Sequence, residues 1–250
     1  MPRFFLALCL VCVSHLAQAV ELKVLTAGAF KPVLMALQPE FEQRTGHRLV
    51  ILNDTAGALQ RRIAGGEVFD AVVSTPASLK TLQASHLSAQ KPPVPVARVA
   101  IGVAVRQGAP LPDISSVAAF RKMLQDTPRL ALIDPASGGS SGIYLARLFE
   151  QWGIAGALRE KLVMVQGGLV AQKVVDRSAD VALHQISEIL AVPGAVLVGP
   201  IPAEIQNYTV YAAAASATTA QPQAVAELLA ALASPQLRSV LQAKGMEAAP

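Results

Sequence analysis

The chain has 250 residues, of which 52% are hydrophobic, 15% charged and 4% aromatic, with a formal net charge of +4. Scattered basic residues and so few aromatics argue against a nucleic-acid surface, and no segment is an 18-residue apolar run that would span a membrane. Both cysteines, Cys9 and Cys12, fall in the first 19 residues, so the rest of the chain has no disulfide and no thiol for metal binding or catalysis.

Met1–Ala19 carries one charge, Arg3, then the apolar run Phe4–Val13 and the triplet Ala17-Gln18-Ala19. This reads as a signal peptide cleaved after Ala19, so the expected location is the periplasm. Neither cysteine follows the small residue that a lipoprotein site needs. Cleavage would remove Arg3 and bring the net charge from +4 to +3, a mild positive balance that fits capture of an anion.

Strands and helices then alternate. Leu22–Leu25 reads as a strand and Pro32–Arg44 as a helix with proline in its first turn. Arg48–Leu52 is a strand, Ala58–Ala64 a helix ended by Gly65-Gly66, and Asp70–Ser74 a strand. Ala97–Val105 reads as one longer strand after the proline-rich "KPPVPV", and Ser116–Leu124 as a helix. Leu130–Ile133 is a short strand leading through a Gly/Ser loop into a helix on which Ile143, Tyr144, Leu148 and Trp152 recur at helical spacing. Lys161–Val165 and Asp180–His184 are strands with the helix Leu169–Asp176 between them. Ala195–Val198 and Tyr208–Ala212 are strands, and Pro222–Ala233 and Pro235–Ala243 form a helical tail.

This alternation predicts an α/β protein with parallel sheets wrapped by helices, whose ligand lies beyond the carboxyl ends of the strands. Four strands end in small, polar or glycine-bearing turns. They are Thr26-Ala27-Gly28-Ala29-Phe30-Lys31, Asn53-Asp54-Thr55-Ala56-Gly57, the Gly/Ser loop, and Gln166-Gly167-Gly168. The Gly/Ser loop "GGSSG", Gly138–Gly142, has three readings. It could seat an anion on backbone N–H groups at a helix start. It could be a serine-hydrolase elbow, since it spells G-x-S-x-G with Ser140 as nucleophile. Or it could be a turn with a serine cap. Six residues, Asp134 to Gly139, separate the strand from Ser140, whereas an elbow turns directly. Asp180 and His184 would lie at opposite ends of one strand and could not complete a triad. With only His47, His86 and His184 beyond the leader and no close carboxylate–histidine spacing, no metal or other cofactor is expected.

"LKVLTAGAFKPVLMALQPEFEQRTGHRLVI", "TAGALQRRIAGGEVFDAVVST", the Gly/Ser loop and "RSADVALHQISEI", in that order, resemble the periplasmic molybdate-binding family. The resemblance implies a two-lobed type II periplasmic binding fold, each lobe a mainly parallel sheet wrapped by helices. It implies a monomer that delivers a small anion to an ABC permease in the inner membrane. It also implies two crossings between lobes, placed near Val96–Val105 and Val198–Ala212, with residues 20–97 and 207–250 in one lobe and 98–206 inserted as the other. A ligand-sensing role for the same fold is an alternative.

Carried onto this chain, the resemblance points to Ala29, Phe30 and Lys31 in the first loop, Thr55 and Ala56 in the second, Ser140 and Ser141 in the third, then Gly168, His184 and Gln185 as ligand-binding residues. Several depart from the family pattern. Ala29 stands where a serine is typical, Asp54, Thr55 and Ala56 where a serine pair is common, and Gln185 where a tyrosine follows the strand. Lys31 adds a cation, and Asp54 is expected to cap the following helix. These departures favour a small organic polycarboxylate, such as an aconitate- or citrate-like acid, over molybdate or tungstate.

Overall fold

The computed structural model describes residues 19–249, so the leader expected over residues 1–19 lies, Ala19 apart, outside the described residues. Strand β1 (Glu21–Ala27) runs through a 3-10 turn, Gly28–Phe30, into α1 (Lys31–Thr45), which has Pro32 in its first turn and ends at Gly46. Strand β2 (Arg48–Asp54), α2 (Ala56–Ala64), β3 (Ala71–Ser74) and α3 (Pro76–Leu82) follow. The hydroxyls of Thr55 and Thr75 cap α2 and α3 by accepting from the Ala58 and Ser78 N–H groups.

The continuous apolar run expected as one strand is two, β4 (Val94–Val99) and β5 (Ile101–Arg106), and they belong to different sheets. After them come α4 (Val117–Asp126), β6 (Leu130–Ile133), α5 (Ser140–Gln151), the single turn α6 (Ala155–Leu158) and β7 (Leu162–Val165). The helix expected over Leu169–Asp176 contracts to one turn, α7 (Gln172–Val175). Then follow β8 (Val181–Gln185), the turn α8 (Ile186–Ile189), β9 (Ala195–Pro200) and β10 (Thr209–Ala215). Helices α9 (Pro222–Leu232) and α10 (Leu237–Ala243) precede a two-residue strand, β11 (Glu247–Ala248).

Two mixed sheets result, ordered β11-β4-β10-β3-β1-β2 and β7-β6-β8-β5-β9. In the first, β1 pairs in parallel with both β2 and β3, and β10 runs antiparallel between β3 and β4. In the second, β6 is parallel to β7 and β8, and β5 runs antiparallel between β8 and β9. The chain therefore passes from the first sheet to the second at Ala100 and returns between Pro200 and Thr209.

Alternation along each strand supplies a core on both faces of each sheet. From β1, Leu22 and Val24 pack with Phe30, Leu34 and Leu228 on one face, while Leu25 joins Leu59, Ile63 and Leu79 on the other. In the second lobe Val103, Leu132 and Leu183 pack with Phe120 and Phe149, and Ala104, Ala131 and Ala182 pack with Val170 and Val174. Because both faces are covered, the strand ends are where polar groups gather.

Candidate functional site

The carboxyl ends of β1, β2, β6 and β8 converge on a small cavity between the lobes. Of the residues expected to bind, Ala29, Thr55, Ala56, Ser140, Ser141, Gly168, His184 and Gln185 line it. Phe30 and Lys31 do not. Phe30 is fully buried in the core of the first lobe, its ring centroid 6.4 Å from that of Tyr211. Lys31 is the first residue of α1 and is not part of the lining, to which no lysine or arginine contributes. Gly28, Asn53, Asp54, Glu188 and Tyr211 also form part of the wall.

The second lobe brings an uncapped helix start to the cavity. Helix α5 begins at Ser140 and has no side-chain cap, so the N–H groups of Ser140, Ser141 and Gly142 have no partner within the helix and lie at its positive end. A 3-10 turn, Pro135–Ser137, and two glycines separate β6 from Ser140, which is not the direct turn of a nucleophile elbow. Asp180 is held by Arg129 at 2.8 Å where β8 begins, and the carboxylate beside His184 is Glu188. Ser140, His184 and Asp180 therefore form no triad.

On the first lobe, the threonine rather than the aspartate caps α2. Thr55 Oγ1 accepts from the Ala58 N–H at 3.1 Å. Asp54 instead accepts from the Thr55 N–H at 2.8 Å and from Arg62 at 3.2 Å. The Thr55 hydroxyl also donates across the cleft to the Ser137 carbonyl, so both of its hydrogen-bonding roles are taken by protein.

That bond belongs to a latch between the lobes. The Gly57 N–H donates to the Gly138 carbonyl at 3.1 Å, and Arg61 donates to the Ser137 carbonyl at 3.3 Å. The two backbones meet so closely that a Cβ on Gly57 would lie 2.8 Å from the Gly138 Cα, and one on Gly138 would lie 2.6 Å from the Gly57 Cα. Beside the cavity, Ser187 donates to the Ala29 carbonyl at 2.8 Å, and the Gln185 amide donates to the Thr209 hydroxyl at 2.8 Å. These contacts describe a closed clamp.

The cavity wall also holds an ionisable pair. His184, near the end of β8, and Glu188, one turn on in α8, bring Nε2 and Oε2 to 3.3 Å, with both side chains almost wholly buried. Burial pushes the Glu188 carboxyl up to about 8 and the His184 imidazole well below its ordinary value, because each charged form loses its hydration. Both shifts favour the neutral forms. Burial, and then the charge of Glu188 when it ionises, raise the Tyr211 phenol as well. His184 Nδ1 and Gln185 Oε1 are buried without a hydrogen-bond partner in the protein.

The pair predicts a pH profile of stability. Glu188 takes up a proton more readily folded than unfolded, so its contribution is complete below its ordinary 4.5 and is lost as pH rises towards 8. His184 has the opposite sign: its contribution is complete above 6.5 and is lost as pH falls towards 3. The two slopes oppose each other between 4.5 and 6.5, so stability should be level there and fall on either side. The alkaline loss should be about 2 kcal/mol between pH 6.5 and 8. Urea unfolding at pH 5.5, 7 and 8.5 checks this, and Glu188→Gln should flatten the alkaline limb. An equal alkaline loss in that variant would contradict the assignment.

Residues 22–247 match the family model described as bacterial extracellular solute-binding protein. An aconitate isomerase from Pseudomonas sp is 33% identical over 235 residues, which is 92% of this chain and 88% of that protein. Among solved structures, the periplasmic molybdate-binding protein of Azotobacter vinelandii superposes with a TM-score of 0.77 at 20% identity, covering 90% of this chain and 98% of that one. The sulfate-binding protein SubI of Mycobacterium tuberculosis gives 0.70 at 19% identity, covering 91% and 86%. At these identities the structural likenesses establish the two-lobed fold.

Proposed function

The chain belongs to the bacterial extracellular solute-binding proteins, and from that premise we propose that it captures a small organic polycarboxylate in the periplasm and presents it, closed between its lobes, to an ABC permease. The observation that carries this reading is the unequal chemistry of the cavity wall. One side is the α5 N-terminus with Ser140 and Ser141, a seat for one carboxylate. The other side offers the Tyr211 hydroxyl but few of the further hydroxyls that would complete a ring of donors around a tetrahedral oxyanion. Ala29 has none, the Thr55 hydroxyl is bound to Ser137 and Ala58, and the Gln185 amide is bound to Thr209. In their place stand the Asn53 amide and the neutral Glu188–His184 pair, a mixed surface suited to an extended ligand with more than one polar end.

Lys31 plays no part in this, so the ligand charge would be met by N–H dipoles and neutral donors alone. The relative named aconitate isomerase supports the same ligand class, because aconitate is a tricarboxylate. Its name also favours a second reading, in which the site isomerises such an acid. Molybdate or tungstate capture remains the rival ligand reading, supported by the shape of the fold.

A thermal-shift screen over tricarboxylates, dicarboxylates, molybdate, tungstate and sulfate tests the proposal. Ligand at a hundred times its Kd stabilises the folded state by about 2.7 kcal/mol, which raises Tm on the order of 5–10 °C in a chain of this size. The shift should come from a polycarboxylate. A shift from molybdate with none from any carboxylate would assign the site to oxyanions.

A further inference from the structure

Glu188 is an unusual neighbour for an anion. It stands in the cavity wall, buried, where a fully ionised carboxylate would repel the ligand that the α5 N-terminus attracts. Its place is nonetheless built. A Cβ on Gly28 would come within 2.5 Å of Glu188 Oε1, so the glycine at the β1 turn leaves room for the carboxyl. On the other side His184 Nε2 lies 3.3 Å from Oε2 and fixes its orientation. The other ionisable groups in the lining are Asp54, paired with Arg62, and Tyr211 from β10. A solute trap needs none of this, since a neutral amide would donate as well. A carboxyl held in a water-excluding cleft, with its proton retained near neutrality, is what proton transfer to and from carbon requires.

We propose that Glu188 is a catalytic acid–base group, oriented by His184, that shifts a proton along the carbon skeleton of a bound unsaturated polycarboxylate. This rests on the polycarboxylate reading above. In an alkene tricarboxylate the CH2 group is both allylic and α to a carboxylate, so its C–H bond is the most acidic in the ligand. The Glu188 carboxylate removes that proton: the C–H bond breaks, an O–H bond forms, and the electron pair enters the allyl system and the adjoining carboxylate. The same carboxyl then returns the proton to the far allylic carbon. The double bond has moved, Glu188 is regenerated, and neither oxidant nor co-reactant is consumed. His184 acts through Glu188 and is a positioning residue.

The test incubates the protein with saturating aconitate in D2O and follows the CH2 and vinyl signals by proton NMR, alongside calorimetric titration of the same sample. The expected result is binding, deuterium entry at the allylic carbons, and exchange that falls a hundredfold or more at saturation in Glu188→Gln, the span typical of general acid–base groups. Exchange should also rise with pH and level off near 8, as the carboxylate form accumulates. Binding with neither deuterium entry nor migration of the double bond, or turnover undiminished in Glu188→Gln, overturns the catalytic role and leaves capture standing. Absence of binding removes the polycarboxylate reading and the inference together. If Glu188→Gln does not fold or does not bind, the wild-type profile decides: a rate level from pH 6 to 9 overturns the inference.

Discussion

Gly57→Ala should cost the protein ten- to hundredfold in ligand affinity while leaving its fold intact. Gly57 lies in the first turn of α2, where alanine is the better helix former by up to about 1 kcal/mol. With the lobes apart, the added methyl keeps only its contact with the Arg61 side chain of its own lobe, at 3.5 Å. With the lobes closed it would stand 2.8 Å from the Gly138 Cα, backbone against backbone, and only a shift of one lobe relieves it. That shift would stretch the Gly57–Gly138 and Thr55–Ser137 bonds, each worth about 1 kcal/mol. Closure is therefore taxed and folding is not. Calorimetric affinity set beside urea unfolding without ligand separates the two. Unchanged affinity, or an equal loss of stability without ligand, would contradict the latch.

Phe30→Ala should act the other way round, through the core. Phe30 was expected at the ligand, yet its ring is fully buried among Leu34, Tyr211 and Leu228, one residue beyond Ala29 in the cavity wall. Removing a buried phenylalanine ring costs about 3–5 kcal/mol. For a chain of this length that lowers Tm by about 10 °C. Since Phe30 ends the 3-10 turn that begins at Gly28, the turn should recoil and affinity fall with stability. Differential scanning calorimetry without ligand gives the first effect. A Tm within 2 °C of wild type, with affinity lost, would return Phe30 to the role of a direct contact.

The alternation of strands and helices was legible because each β-strand of the central sheets is a short apolar run closed by a turn. The topology rule pointed to strand ends and the family resemblance to ten residues, of which eight line the cavity at the ends of β1, β2, β6 and β8. What escaped had local signals too weak to compete. Val94 to Arg106 is an unbroken β-like run, and nothing at Ala100 marks the passage from one sheet to the other. Ala213–Ala215 lie beyond the expected strand Tyr208–Ala212, yet they complete β10 between β3 and β4. There burial on both faces rewards small side chains and overrides poor strand propensity. Lys31 looked functional because charge beside a loop suggests a ligand, but as the first residue of α1 it is not among the residues that line the cavity. Glu188 was missed although its signal was present: a lone acid in the apolar stretch Ile186–Leu190, four residues after His184. Such an acid, destined for burial, needs a partner.

The central claim is that this clamp closes on a polycarboxylate. Calorimetric titration of the protein with molybdate, citrate and aconitate in parallel tests it most directly. We predict saturable heat from at least one of the two tricarboxylates and none from molybdate at the same concentrations. Submicromolar molybdate binding with no heat from either carboxylate would contradict it.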